Sequence, residues 1–272
     1  MSKRTLFLHN MSKEMDQLIQ GFSDQIKEAL EINEKVDLKV NKPIHNIILC
    51  GLGGSGIGGQ LVAEIASDNL SVPFTCNHDY SIPSFVNENT LAIISSYSGN
   101  TEETLEAFQH CINAKAQILC ISSGGKLEEI ASKEGYDFIK VPGGNAPRTC
   151  VGYSIVSQLV SLSKLGLTKK DYRKLLKESI SFIDNTSEYA KNIAMEIASE
   201  IHQTLPIIYT SGEYSGTGVR LKQQLNENAK MLSWTNTIPE MNHNELVGWV
   251  GAQKNVAVIF LRNADDSEKN QQ

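Results

Sequence analysis

Ile47-Ile48-Leu49-Cys50-Gly51-Leu52-Gly53-Gly54-Ser55-Gly56-Ile57-Gly58-Gly59 decides how the chain is read. Four apolar residues run without alternation into a glycine-dense turn, and a helical pattern follows. Continuous apolarity marks a strand covered on both faces, as in a parallel sheet, whereas a strand with one wet face alternates. The glycines let the chain turn sharply and let a ligand approach the backbone, with the free N–H groups of the next helix behind them. Leu91-Ala92-Ile93-Ile94 and Gln117-Ile118-Leu119-Cys120-Ile121 repeat the strand signal. Helices are expected at about 56–68, 101–113, 126–134 and 147–165, which makes an alternating α/β unit over about 40–165. An amphipathic helix over about 11–31 precedes it, with Met11, Met15, Leu18, Phe22, Ile26 and Leu30 at three- and four-residue spacing.

Further along, residues 169–203 are charged and helix-periodic, and Pro206-Ile207-Ile208-Tyr209-Thr210 starts the pattern again. Ser55-Gly56-Ile57-Gly58-Gly59-Gln60-Leu61 and Ser215-Gly216-Thr217-Gly218-Val219-Arg220-Leu221 stand 160 positions apart and share Ser, Gly, Gly and Leu in register. Each follows an apolar strand and opens a helix, so a duplicated fold is expected. The last strand, Asn255 to Leu261, then corresponds to Leu91–Ile94 of the first copy. The predicted architecture is two tandem α/β domains, each a parallel sheet flanked by helices in the doubly wound, flavodoxin-like manner. Residues 1–168 hold the N-terminal helix and the first domain, and residues 169–272 the second. The second is expected to be incomplete, its polar tail Asp265–Gln272 reading as a loop.

The 272 residues carry 25 Lys and Arg against 31 Asp and Glu, a net charge of −6, so no basic excess advertises nucleic-acid binding. An anionic ligand must therefore be held by a local site. The longest C-terminal apolar run, Val256–Leu261, is too short to span a bilayer. Met1-Ser2-Lys3-Arg4 lacks the apolar core of a signal peptide, and a cytoplasmic location is expected. The five cysteines are widely spaced without a CxxC pair, and read as core residues in a reducing compartment. His78-Asp79 and His243-Asn244-Glu245 do not make a metal-ligand set.

Three loops carry chemistry. Gly51-x-Gly53-x-x-Gly56 satisfies the dinucleotide fingerprint, with Asp79 in place to hold a ribose, so a Rossmann-type NAD(P)-dependent oxidoreductase is one reading and a plain strand–helix turn another. Ser95-Ser96-Tyr97-Ser98-Gly99-Asn100-Thr101 follows a strand and opens a helix, with Asn100 or Thr101 placed to cap. Its hydroxyls and the helix amides suit a phosphate. Val141-Pro142-Gly143-Gly144-Asn145-Ala146-Pro147-Arg148 puts Pro147 at a first helical position. Arg148 in that turn is a solvated arginine or the partner of an anion.

Together these loops resemble those of the sugar isomerase (SIS) domain family. With two copies in the chain, and with Leu225-Asn226-Glu227-Asn228-Ala229-Lys230 and Asn242-His243-Asn244-Glu245-Leu246-Val247-Gly248-Trp249, the sequence most resembles the bifunctional phosphoglucose/phosphomannose isomerases. The resemblance implies interconversion of glucose 6-phosphate or mannose 6-phosphate with fructose 6-phosphate, no cofactor and a homodimer with shared sites. It implies that Ser96, Ser98 and Thr101 hold the phosphate, that Gly54 and Ser55 line the sugar site, and that Arg148 stabilises the enediolate. It also implies Glu227 as the base and His243, from the other subunit, as the group assisting ring opening. From spacing alone Glu227 is an exposed glutamate near Arg220 on a helix from about 217 to 230. The family's C-terminal lysine has no match here, and neither Lys254 nor Lys269 takes its role. A phosphosugar sensor without turnover is the remaining alternative.

Overall fold

The computed structural model describes residues 15–40, 43–251, 254–264, 266 and 268–271. It has two compact units, one up to Ser187 and one from Glu188. In the first, helix α1 (Phe22–Glu34) follows a helical segment over residues 15–20. Residues 11–14 of the expected first helix lie outside the described residues.

Strand β1 (Asn46–Cys50) leads through α2 (Gly53–Ile65) to β2 (Phe74–Asn77) and β3 (Thr90–Ser95). Then come α3 (Glu102–Asn113), β4 (Gln117–Ser122), α4 (Gly125–Glu134) and β5 (Asp137–Lys140). A 3-10 turn (Pro147–Thr149) precedes α5 (Val151–Lys164). The five strands are all parallel, in the order β2-β1-β3-β4-β5.

The pleat sorts the apolar strands onto two faces. Ile47, Leu49, Leu91, Ile93, Leu119 and Ile121 pack with residues of α1, α2 and α5, such as Ala29, Val62 and Leu159. Ile48, Cys50, Ala92, Ile94, Ile118 and Cys120 pack with Ala107, Phe108 and Cys111 of α3 and Leu127 of α4. Both faces are covered, which is why these strands are apolar throughout rather than alternating. All five cysteines are free, and all but Cys76 are buried.

The second unit holds part of α6 (Arg173–Ile201), then β6 (Leu205–Thr210) and α7 (Ser215–Gln224). β7 (Trp234–Thr237), the short helices α8 (Ile238–Met241) and α9 (Glu245–Gly248), and β8 (Val256–Leu261) follow. Its parallel sheet has the order β7-β6-β8, matching β2-β1-β3. Ile207 pairs with Trp234 as Ile47 pairs with Phe74, so the offset between the copies is kept in the register. The core is smaller: Ile207, Tyr209, Ile238 and Met241. Along β8, Val258 and Phe260 are exposed. Glu268–Gln271 forms one helical turn where a polar loop was expected.

Candidate active site

In an open parallel sheet a crevice forms at the carboxyl ends of the strands where consecutive connections leave in opposite directions. Here that point lies between β1 and β3, because β2 flanks one side of β1 and β3 the other. The glycine turn leaves β1 and the serine loop leaves β3, so both expected ligand loops meet there. They are tied directly: the Tyr97 amide donates to Ser55 Oγ at 3.1 Å.

The third loop closes on the first. A Cβ at Gly54 would stand 2.9 Å from the Pro147 carbonyl oxygen, so only glycine allows this approach. Gly54, Ser55, Ser95, Tyr97, Pro147, Cys150, Tyr153 and Ser154 line a small cavity under the three loops. The Tyr97 hydroxyl accepts from the Asn145 amide at 3.2 Å, and burial pushes its pKa up to about 12, so it stays protonated.

The serine loop is built from its own hydroxyls. Ser96 is buried; its Oγ accepts from the Gly99 amide at 3.1 Å and pairs with the Thr101 hydroxyl at 2.9 Å. Ser98 is exposed, and its Oγ accepts from the Asn100 amide at 3.2 Å. Gly99 has φ +67, and a Cβ there would lie 1.7 Å from the Gly124 carbonyl oxygen. Thr101 is the N-cap of α3 but makes no side-chain cap bond, because its hydroxyl is turned to Ser96. The Thr104 hydroxyl is buried without a hydrogen-bond partner.

Arg148 is half-buried in the middle of the 3-10 turn, with Pro147 in its first position as expected. The first unit thus brings Gly54, Ser55, Ser96, Ser98, Thr101 and Arg148 to one edge of its sheet. Tyr97 and Tyr153 join them without having been singled out. Asp79 is exposed beyond β2, with one carboxylate oxygen accepting from the Tyr80 amide at 2.7 Å.

Glu227 and His243 belong to the second unit. The helix expected to about 230 stops being α at Gln224 and continues as a π-turn (Leu225–Ala229) that ends at Lys230, φ +58. Such wide turns recur at functional sites. Glu227 is exposed in this turn, as spacing alone predicted. It lies near enough to Arg220 to raise that residue's pKa against the larger, opposite effect of burial.

His243 is exposed between α8 and α9. Two residues on, the Glu245 carboxylate is gripped at both oxygens. The Tyr209 hydroxyl donates at 2.6 Å and the Asn236 side-chain amide at 2.6 Å. Trp249 Nε1 donates to the same Tyr209 hydroxyl at 3.2 Å. Burial first, and Glu245 second, push the Tyr209 pKa up to about 12. Glu245 therefore fastens the His243 segment to β6 and β7. Among the described residues, no group of three His, Cys, Asp or Glu could hold a metal, and no helix is long and apolar enough to cross a membrane.

Comparison with known proteins bears on the family and the fold. Residues 190–272 match a family model described as the bacterial phospho-glucose isomerase C-terminal SIS domain. A bifunctional phosphoglucose/phosphomannose isomerase of Caldicellulosiruptor bescii is 35% identical over 268 residues, 94% of this chain and 79% of that protein. A D-glucosamine-6-phosphate 4-epimerase of Sulfolobus acidocaldarius is 32% identical over 241 residues, 88% of this chain and 75% of its own. Among solved structures, the C-terminal domain of glucosamine-fructose-6-phosphate aminotransferase from Francisella tularensis superposes with a TM-score of 0.68 at 18% identity. It covers 96% of this chain and 78% of that one.

Proposed function

The chain belongs to the bifunctional phosphoglucose/phosphomannose isomerase family, and from that premise we propose how it works as a sugar-phosphate isomerase. It interconverts glucose 6-phosphate, mannose 6-phosphate or both with fructose 6-phosphate through an enediolate. The observation that carries the reading is the meeting of the glycine turn, the serine loop and the Arg148 turn at the β1/β3 crevice.

The phosphate binds at the serine loop. The helix dipole of α3 favours it, while Glu102 and Glu103 in the first turn oppose it. Loop hydroxyls and amides must therefore supply the grip. Ser98 offers a hydroxyl from an exposed position, and Ser96 and Thr101 hold the loop in shape. Gly54 and Ser55 line the sugar. Isomerisation takes a proton from the carbon next to the carbonyl and returns one at the neighbouring carbon. That needs a carboxylate base and a positive group at the forming oxyanion. Glu227 is the base and Arg148 the positive group. His243 assists ring opening, reaching across from the second subunit of a homodimer. The first 168 residues and the remainder act as two tandem SIS domains. No cofactor enters the proton transfer.

The test is incubation of the protein with fructose 6-phosphate and separate detection of glucose 6-phosphate and mannose 6-phosphate. Absence of both products sinks the reading. A parallel incubation with glucosamine 6-phosphate tests the activity named for the Sulfolobus relative. Binding of fructose 6-phosphate without turnover would make the chain a sensor.

A further inference from the structure

Arg148 sits in a turn that is capped from outside. α1 places the buried Gln25 against the junction between the 3-10 turn and α5. Gln25 Nε2 donates to the Thr149 carbonyl at 2.9 Å, and its Oε1 accepts from the Gly152 amide at 2.7 Å. Thr149 ends the turn that carries Arg148, and Gly152 is the second residue of α5. Between them Cys150 (φ −109, ψ 18) departs from helical geometry and makes no side-chain cap bond.

The first amides of a helix have no acceptor within it, and a buried one left unpaired is costly. Gln25 satisfies this one and, with the same group, the carbonyl preceding the helix. A carboxamide offers one donor and one acceptor in that geometry at any pH, whereas a carboxylate only accepts and an ammonium only donates. The approach is also sterically specific, since a Cβ at Gly152 would stand 2.5 Å from Gln25 Oε1. About one turn further along α1, Glu28 accepts from the hydroxyl of Tyr153, the residue after Gly152. On its other side the turn abuts Gly54.

We infer that Gln25 is the positioning residue for Arg148, holding its turn from α1 so that the guanidinium meets the developing oxyanion. This rests on the role given above to Arg148. Gln25 acts through the backbone on either side of the turn and is not itself catalytic.

Gln25→Met keeps length and apolar packing but removes both hydrogen bonds. With fructose 6-phosphate, its kcat should fall by about tenfold or more, as expected for a misplaced catalytic group. KM should stay within about twofold, because the serine loop is held from β3 and α4. In an Arg148→Ala background the same substitution should change kcat by less than about twofold, since coupled groups are not additive. Equal losses in both backgrounds would mean a merely structural role and overturn the inference. So would an unchanged kcat for Gln25→Met when Arg148→Ala is impaired.

Full turnover by Arg148→Ala would instead fail the role of Arg148, and the inference with it. If Gln25→Met does not fold, Gln25→Glu decides. Its carboxyl regains a donor when protonated, so its kcat relative to the parent protein should rise between pH 8 and pH 6. A flat ratio overturns the inference.

Discussion

Ser96 and Ser98 are two positions apart and differ in what they can give a ligand. Ser96 Oγ is spent on Gly99 and Thr101, whereas Ser98 is exposed. Ser96→Ala takes away the partner of the Thr101 hydroxyl and one of two acceptors of the Gly99 amide, which keeps the Ser96 carbonyl at 3.0 Å, at a cost of about 0.5–1.5 kcal/mol. We predict a melting temperature lower by a few degrees, at roughly 2–4 °C per kcal/mol for a chain of this size. Ser98→Ala should leave melting unchanged and raise KM for fructose 6-phosphate; an unchanged KM places the phosphate elsewhere. Glu227→Gln should keep substrate binding and lose turnover by roughly a hundredfold or more, the scale of a lost general base. Near-normal turnover would remove Glu227 from the mechanism. The hydroxyl run, the glycines and Arg148 could be picked out of the sequence as candidates because phosphate and oxyanion sites draw on those residue types. Gln25 was not legible, since a glutamine on an amphipathic helix has no periodic signature and its partners lie more than a hundred residues away. Glu227 became a candidate only through the family resemblance, as its exposure in the structure makes plain.

At the scale of elements, the close seat of α2 on β1 depends on Gly59. A Cβ there would stand 2.1 Å from Leu49 Cδ2, inside a strand buried from Ile47 to Cys50. Gly59→Ala should cost about 1–3 kcal/mol by overpacking despite alanine's better helix propensity. A midpoint of urea denaturation equal to that of the parent protein would show that α2 shifts freely. The strands β1, β3 and β4 were readable because burial on both faces favours an unbroken apolar run through their middles. β2 and β5 are four residues long, and β5 begins and ends with Asp137 and Lys140, so periodicity has too little to work on. The π-turn at 225–229 was missed for a different reason: a helical pattern assumes about 3.6 residues per turn, and one wider turn leaves the flanking apolar positions nearly in phase.

Across the whole molecule, buried and half-buried thiols link stability to alkaline pH. Burial raises the Cys76 pKa to about 11 and pushes Cys120 up as well; the neighbouring Cys50, together with burial, does the same to Cys111. Unfolded thiols ionise near ~8.5. The unfolded chain therefore releases these protons first, and the stability they support is complete below that pH and declines as pH rises towards the folded values. The urea midpoint should be lower at pH 9.5 than at pH 7.5, and thiol reagents should react with the native protein slowly at pH 8. The duplication has a further consequence. Where the first copy reads Gly51-Leu52-Gly53-Gly54, the second reads Ser211-Gly212-Glu213-Tyr214. Tyr214 stands where Gly54 admits the Pro147 carbonyl, and its hydroxyl bonds the Asn263 side chain just past β8. The two corresponding turns thus do opposite things with the same place in the fold: one leaves a bare backbone that receives a neighbouring loop, and the other occupies that place with a side chain tied to the end of the next strand but one.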